Sequence, residues 1–139
     1  MSDGARLATA AANLIGSKFR LYGRDPETGL DCVGLVIASL RSIDRKPKVP
    51  TGYRLQNTSI DRWLKLVEPS GLREAAGDIE PGDVLLIQPG PGQHHLLIAE
   101  STTTAIHAHA RIRRVVRQPM DRNARVLARW RLSAKPKEY

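Results

Sequence analysis

Apolar positions follow two grammars along this chain, helical spacing in the first half and short runs with alternation from Pro81 onward. Leu7, Ala11, Leu14 and Ile15 mark one side of residues 3–15, with Ser2 or Asp3 as a cap and Gly16 as a stop, which predicts an amphipathic helix. A loop carrying Gly23, Pro26 and Gly29 follows. Val33, Val36, Ile37 and Leu40 then recur at i, i+3, i+4 and i+7 behind Asp31, a good N-cap, and predict a second helix from Cys32 to about Ser42. Residues 45–56 contain Pro47, Pro50 and Gly52 and read as an irregular connection. Ser59 or Asp61 is placed to cap a third helical segment with Trp63, Leu64 and Val67, stopped by Pro69.

Beyond the Pro81-Gly82-Asp83 turn, Val84–Ile87 is a continuous apolar run that suits a buried strand. The Pro89–Gly92 turn leads to a second strand at Leu96–Ala99. Ala105–Ala110 and Ile112–Val116 read as further strands, broken near Arg113-Arg114. The stretch Val126–Leu132 alternates, placing Val126, Ala128, Trp130 and Leu132 on one face and Arg125, Leu127, Arg129 and Arg131 on the other. Helices first and an antiparallel sheet second predict one α+β domain over residues 1–133, with 134–139 as a flexible tail.

Composition narrows the function classes. The 139 residues carry 41% hydrophobic and 26% charged side chains, ordinary for a single soluble domain. One cysteine allows no internal disulfide, so the expected fold does not depend on an oxidising compartment. No leader pattern or membrane-length apolar run is visible, which leads to the expectation of synthesis in the cytoplasm and no membrane association. A net charge of +8, from 22 basic and 14 acidic residues, invites a nucleic-acid reading. With one Phe, three Tyr and two Trp there is no stacking platform, and no zinc-finger spacing is present, so nucleic acid is not expected as a partner. A basic surface also attracts other polyanions, the bacterial cell wall among them.

The chemistry-bearing residues are few. Cys32 sits in the first turn of a capped helix, where the dipole and unpaired N–H groups favour an anion, so the expectation is a thiol biased toward thiolate. Those N–H groups also suit a developing oxyanion. All four histidines fall between Pro91 and Ala110. His95 opens a strand, while His107 and His109 share a face of the next, so a hairpin can bring His95 and His107 side by side. If the Cys32 helix packs on that face, thiol, imidazole and a third polar group fall in line, as nucleophilic catalysis requires. A zinc site of Cys32, His95, His107 and His109 is the alternative; it lacks paired-cysteine spacing. His94 is a rival base, and both His94 and His109 also read as ordinary polar residues at strand edges.

In order along the chain, Gly16-Ser17-Lys18-Phe19, Asp31-Cys32-Val33-Gly34-Leu35, Pro81-Gly82-Asp83, His95-Leu96-Leu97-Ile98 and Ile106-His107-Ala108 resemble the motifs of the NlpC-type papain-like cysteine peptidases, which cleave bacterial peptidoglycan peptides. The resemblance covers residues 5–117. It implies a papain-like α+β fold with N-terminal helices packed on a C-terminal antiparallel β-sheet, no cofactor or metal, and cleavage of stem peptides next to D-glutamate. It also implies Cys32 as nucleophile, His95 as base and His107 as the orienting third residue. Phe19, Asp31, Arg20 and Arg24 are the expected substrate-side residues, with Arg111 and Arg113 as further candidates for a groove that takes an anionic peptide. Phe19, Val33 and Leu97 depart from the tyrosine, serine and glycine usual at those positions, which bears on substrate preference more than on the triad.

The stretch from Phe19 to Pro26, running on through Gly29 to Leu35, is further similar to cell-wall peptidases of phage tail and gene transfer agent clusters. That similarity implies phage-like tail or baseplate proteins as partners and incorporation in a tail particle as the route to the wall. The other readings are a catalytically silent structural tail protein and an intracellular amidase or acyltransferase of the same fold.

Overall fold

The computed structural model describes residues 1–49, 63–91 and 93–134. Helix α1 spans Asp3–Ala12, with the Ser2 hydroxyl accepting from the Ala5 N–H at 3.1 Å. Leu7 and Ala11 are fully buried, as predicted, but the helix stops earlier than the pattern suggested. Residues 13–16 unwind through turns, and Gly16, at φ 94°, sends its N–H to the Val115 carbonyl at 2.9 Å. Tying the chain to that strand leaves Ile15 37% exposed instead of buried.

A two-stranded ribbon that the hydrophobic pattern did not reveal follows, β1 (Arg24–Asp25) paired antiparallel with β2 (Gly29–Leu30). Its turn is set by Asp25, whose carboxylate accepts from the Glu27 N–H at 2.9 Å. Helix α2, Cys32–Ser42, begins where predicted, because Asp31 caps it by accepting from the Gly34 N–H at 2.8 Å. It is buried all round from Val33 to Leu40, not on one face. A stretch without a single charge until Arg41 makes it the central core helix. Gly34 is required there: a Cβ at that position would lie 1.9 Å from the Gly23 carbonyl oxygen.

Among the described residues six strands form the sheet: β3 (Leu72–Glu74), β4 (Val84–Gln88), β5 (His95–Ala99), β6 (Thr104–His109), β7 (Arg114–Pro119) and β8 (Arg125–Leu132). Their order is β3-β8-β4-β5-β6-β7, antiparallel throughout. The break between β6 and β7 covers 110–113, with Arg113 left-handed at φ 65°, so β7 starts at Arg114 and runs on to Pro119. The predicted alternation of β8 holds only toward its end, where Trp130 and Leu132 are buried. A register shift between Leu86 and Ile87 takes the pairing from Ala128 to Val126, and Val126 ends 50% exposed.

Leu86, Leu96, Ile98, Ile106 and Ala108 pack with α1 and α2 in the main core, while Leu85, Ile87, Leu97, Ala99 and Ala105 form a smaller cluster on the other face. Fully buried Trp63 meets Trp130 edge-on at 5.1 Å. Trp63 and Leu64 are helical and 65–71 continue as turns, so Val67 does not extend that helix; the expected caps Ser59 and Asp61 lie outside the described residues, as do 135–139 of the predicted tail. Among the described residues no helix is long and apolar enough to cross a membrane.

Candidate active site

The cysteine end is built by the short segment around Asp31. One carboxylate oxygen takes the Gly34 N–H and Arg24 Nη1 at 2.7 Å, and the other takes the Tyr22 N–H at 2.9 Å. Arg24 Nη1 also donates to the Gly23 carbonyl at 2.9 Å, so Arg24 braces the start of α2 from the half-buried side. Asp31 is buried and is likewise occupied in holding that start. Phe19 is half-buried against the main core, its backbone bridged to Leu30, while Arg20 is exposed. Of Phe19, Arg20, Arg24 and Asp31, Arg20 alone presents an exposed side chain; the further candidates Arg111 and Arg113 are exposed as well.

Cys32 is partly open to solvent, with its sulfur facing the backbone N–H groups of Leu96 and Val33. Burial, and then the Asp31 carboxylate, push the thiol up to about 12, against the opposing pull of those N–H groups and of Arg24. This corrects the expectation of a resting thiolate. The helix start does favour an anion, but dense packing and an adjacent carboxylate outweigh it.

The histidine end is built by strand register. His95 Nε2 and His107 Nδ1 lie 2.8 Å apart, and His107 Nε2 lies 2.7 Å from Gln118 Oε1 on β7. The two rings meet edge-on with centroids 5.0 Å apart. Burial, and then the neighbouring His107 and His109, lower His95 to about 4. Burial likewise lowers His107, partly opposed by its hydrogen bond to Gln118. Both rings are therefore neutral at neutral pH.

The predicted juxtaposition of His95 with His107 is present, but the helix does not pack on that face. By strand alternation both histidines share a side with Leu97 and Ala105 of the smaller cluster, whereas Leu96 and Ala108 face α2. Cys32 meets the pair at the start of β5, through the amide that follows His95. Among the described residues, no hydrogen bond joins the thiol to the His95 ring. On the histidine face lies a cavity of about 720 Å³, lined by Leu97, Ala105 and Met120 together with His95, His107 and Gln118, and bordered by Arg111.

His94 is exposed, and His109 accepts the Ile112 N–H on Nδ1 at 3.1 Å, shaping the β6–β7 turn. Among the described residues no three His, Cys, Asp or Glu side chains converge as metal ligands, which gives the zinc alternative no geometry. Gln118 was not anticipated from sequence. The available signal was its position on a strand after His107, and it needed the β6–β7 register, His107 opposite Val116, to be known.

The sequence matches no family model and no curated protein. Solved structures match the fold. NlpC2 from Trichomonas vaginalis is 21% identical with a TM-score of 0.67, covering 93% of this chain and 48% of that one. The NlpC/p60 domain of the peptidoglycan hydrolase SagA is 25% identical with a TM-score of 0.55, covering 85% of this chain and 90% of that one. The P60 domain of antigen MAP1204 from M. avium subspecies paratuberculosis is 14% identical with a TM-score of 0.65, covering 96% and 97%. The chain spans about half the length of the Trichomonas protein. Its fold is the papain-like α+β fold of NlpC/p60 domains, as the sequence motifs implied.

Proposed function

We propose that this chain is a cysteine peptidase that hydrolyses amide bonds in bacterial peptidoglycan stem peptides. The observation that carries the reading is the linked His95–His107 pair beside Cys32 at a helix start, in an NlpC/p60 fold. The Cys32 sulfur attacks the amide carbonyl while its proton passes to His95, and the leaving amine takes that proton; water activated by His95 then releases the acyl group. Burial holds both thiol and imidazole toward their neutral forms, which favours proton transfer in step with attack. The N–H groups at the start of α2 are the donors at hand for the oxyanion.

The finer reading is cleavage next to D-glutamate, which rests on the motif resemblance together with a net charge of +8 suited to an anionic peptide. Arg111, which borders the cavity, and exposed Arg20 are the side chains assigned in this reading to its carboxylates. Incubation with purified peptidoglycan and mass analysis of the released fragments tests both levels. Cys32→Ala is expected to abolish release while the thermal midpoint stays within a few degrees, since a small side chain suits that position; fragments released by the alanine variant would overturn the nucleophile. Incorporation in a phage-like tail rests on the similarity of the Phe19–Leu35 stretch. It requires the chain to co-purify with intact tail particles in a fixed copy number, and activity confined to the soluble lysate would overturn it.

A further inference from the structure

Two neutral imidazoles that face each other through one nitrogen each share a single N–H, so one ring must donate and the other accept. His95 contributes Nε2 to this contact and His107 contributes Nδ1, at 2.8 Å. Which ring donates decides whether the remaining nitrogen of His95, Nδ1, is a lone pair or an N–H. Only a lone pair can take a proton from the sulfur.

The third link settles the arrangement. His107 uses its other nitrogen, Nε2, on the amide oxygen of Gln118 at 2.7 Å. An amide oxygen only accepts, so His107 carries its hydrogen on Nε2 and presents a lone pair at Nδ1. His95 must then donate from Nε2, which leaves Nδ1 bare. We infer that Gln118 is a positioning residue that fixes the tautomers of both histidines through this relay and so makes His95 Nδ1 a base. The inference rests on the peptidase reading only for the role given to that base; the tautomers themselves follow from the contacts.

The amide is better suited here than a carboxylate. A carboxylate at this position favours a doubly protonated His107. His107 would then donate from Nδ1 as well, forcing His95 to accept at Nε2 and to hold its own hydrogen on Nδ1. The same result follows if the Gln118 amide is turned so that its NH2 group faces His107.

Ring nitrogen shifts in 15N-labelled protein at pH 7 read the tautomers without any substrate. The expected pattern is Nε2–H with bare Nδ1 on both rings; Nδ1–H on either ring overturns the proposal. Gln118→Leu is expected to mix the tautomers of His107 and His95 and to lower kcat about tenfold with KM little changed. Unchanged nitrogen shifts in that variant overturn the proposal. Gln118→Glu is expected to keep near-normal kcat above neutral pH and to raise the acidic limb of the pH profile, as His107 gains charge; a uniform loss at every pH overturns it, since that is what a purely structural role gives. A wild-type protein with the expected shifts that cuts no peptidoglycan supports the tautomer assignment and overturns the peptidase reading, so the two failures are distinguishable.

Discussion

The two ends of the candidate site are assembled in opposite ways. The cysteine end is local: the cap, the ion pair and Cys32 all come from residues 22–34, held by the Asp31 carboxylate. The histidine end is distributed, with His95, His107 and Gln118 on three successive strands joined at sequence separations of 12 and 11. A local device fixes where the sulfur lies but also brings a carboxylate beside it, which adds to the burial that holds the thiol neutral. A distributed device depends on register, because one residue of slip on β6 would turn His107 toward the helices and put Ala108 in its place. In the peptidase reading proposed above, what the thiol lacks in acidity the histidine relay supplies as an oriented, neutral base.

Removing the proposed base is the largest test of that division. His95→Ala is expected to lower kcat by roughly 100-fold to 10,000-fold. His107→Ala should cost less, since the ring of His95 remains but loses its partner, and exposed His94→Ala should change the rate by less than about twofold. Peptidoglycan turnover by the three purified variants checks the order, and equal losses at His94 and His95 would break the assignment.

The local end is broken most directly by Gly34→Ala, whose added methyl would meet the Gly23 carbonyl at 1.9 Å. Backbone against backbone cannot give way as a flexible side chain can, so a loss of about 3 kcal/mol or more is expected. Urea unfolding measures it, and a loss below about 1 kcal/mol would mean that α2 does not need this close approach.

These two ends differ in how far the sequence exposed them. The start of α2 is readable because the Asp31 cap and the apolar spacing that follows act within two turns, and burial on every side follows from the absence of charge before Arg41. His95 and His107 were readable as neighbours from alternation and the motif resemblance. The face on which the helix packs was not, because it depends on which parity of β5 meets the core, and Leu96 rather than His95 has it. The register shift opposite Leu86, the exposure of Val126, and β3 are products of strand pairing over long separations, and nothing in the local pattern of β8 encodes them. The neutral state of the thiol escapes the sequence for the same reason: dipole and cap are local, whereas burial against the main core is not.

Acid should weaken the histidine end before the cysteine end. His95 folds with its affinity for protons lowered from about 6.5 to about 4, so between those values the unfolded chain binds a proton that the folded chain does not. Stability from this group is therefore complete above about pH 6.5 and lost as pH falls toward about 4, by on the order of 3 kcal/mol. The lowered His107 acts in the same direction. Asp83, buried and paired with Arg129 and Arg131, extends the loss only at lower pH, below the ordinary carboxylate value of 3.8. Thermal melts from pH 7 to pH 4 should show this fall, and His95→Gln should remove most of it; a slope unchanged in that variant would place the acid sensitivity elsewhere.

The smallest expected effect isolates the carboxylate at the cysteine end. Asp31→Asn keeps an oxygen to accept the Gly34 N–H, so the helix cap survives, while the negative charge beside Cys32 is removed. Wild-type Cys32 should alkylate with iodoacetamide more slowly than glutathione at pH 7 and accelerate as pH rises above 9, because its thiolate is scarce until the thiol approaches its raised value. In the asparagine variant the burial that dominates the shift remains, so the rate should rise only severalfold at a given pH. Stability should fall at the same time by about 1–3 kcal/mol, since Arg24 loses its charged partner in a half-buried place and the Tyr22 N–H loses the second carboxylate oxygen. An alkylation rate that does not change, in a variant that keeps its fold, would mean that burial alone holds the thiol neutral and that Asp31 serves the helix without touching the chemistry.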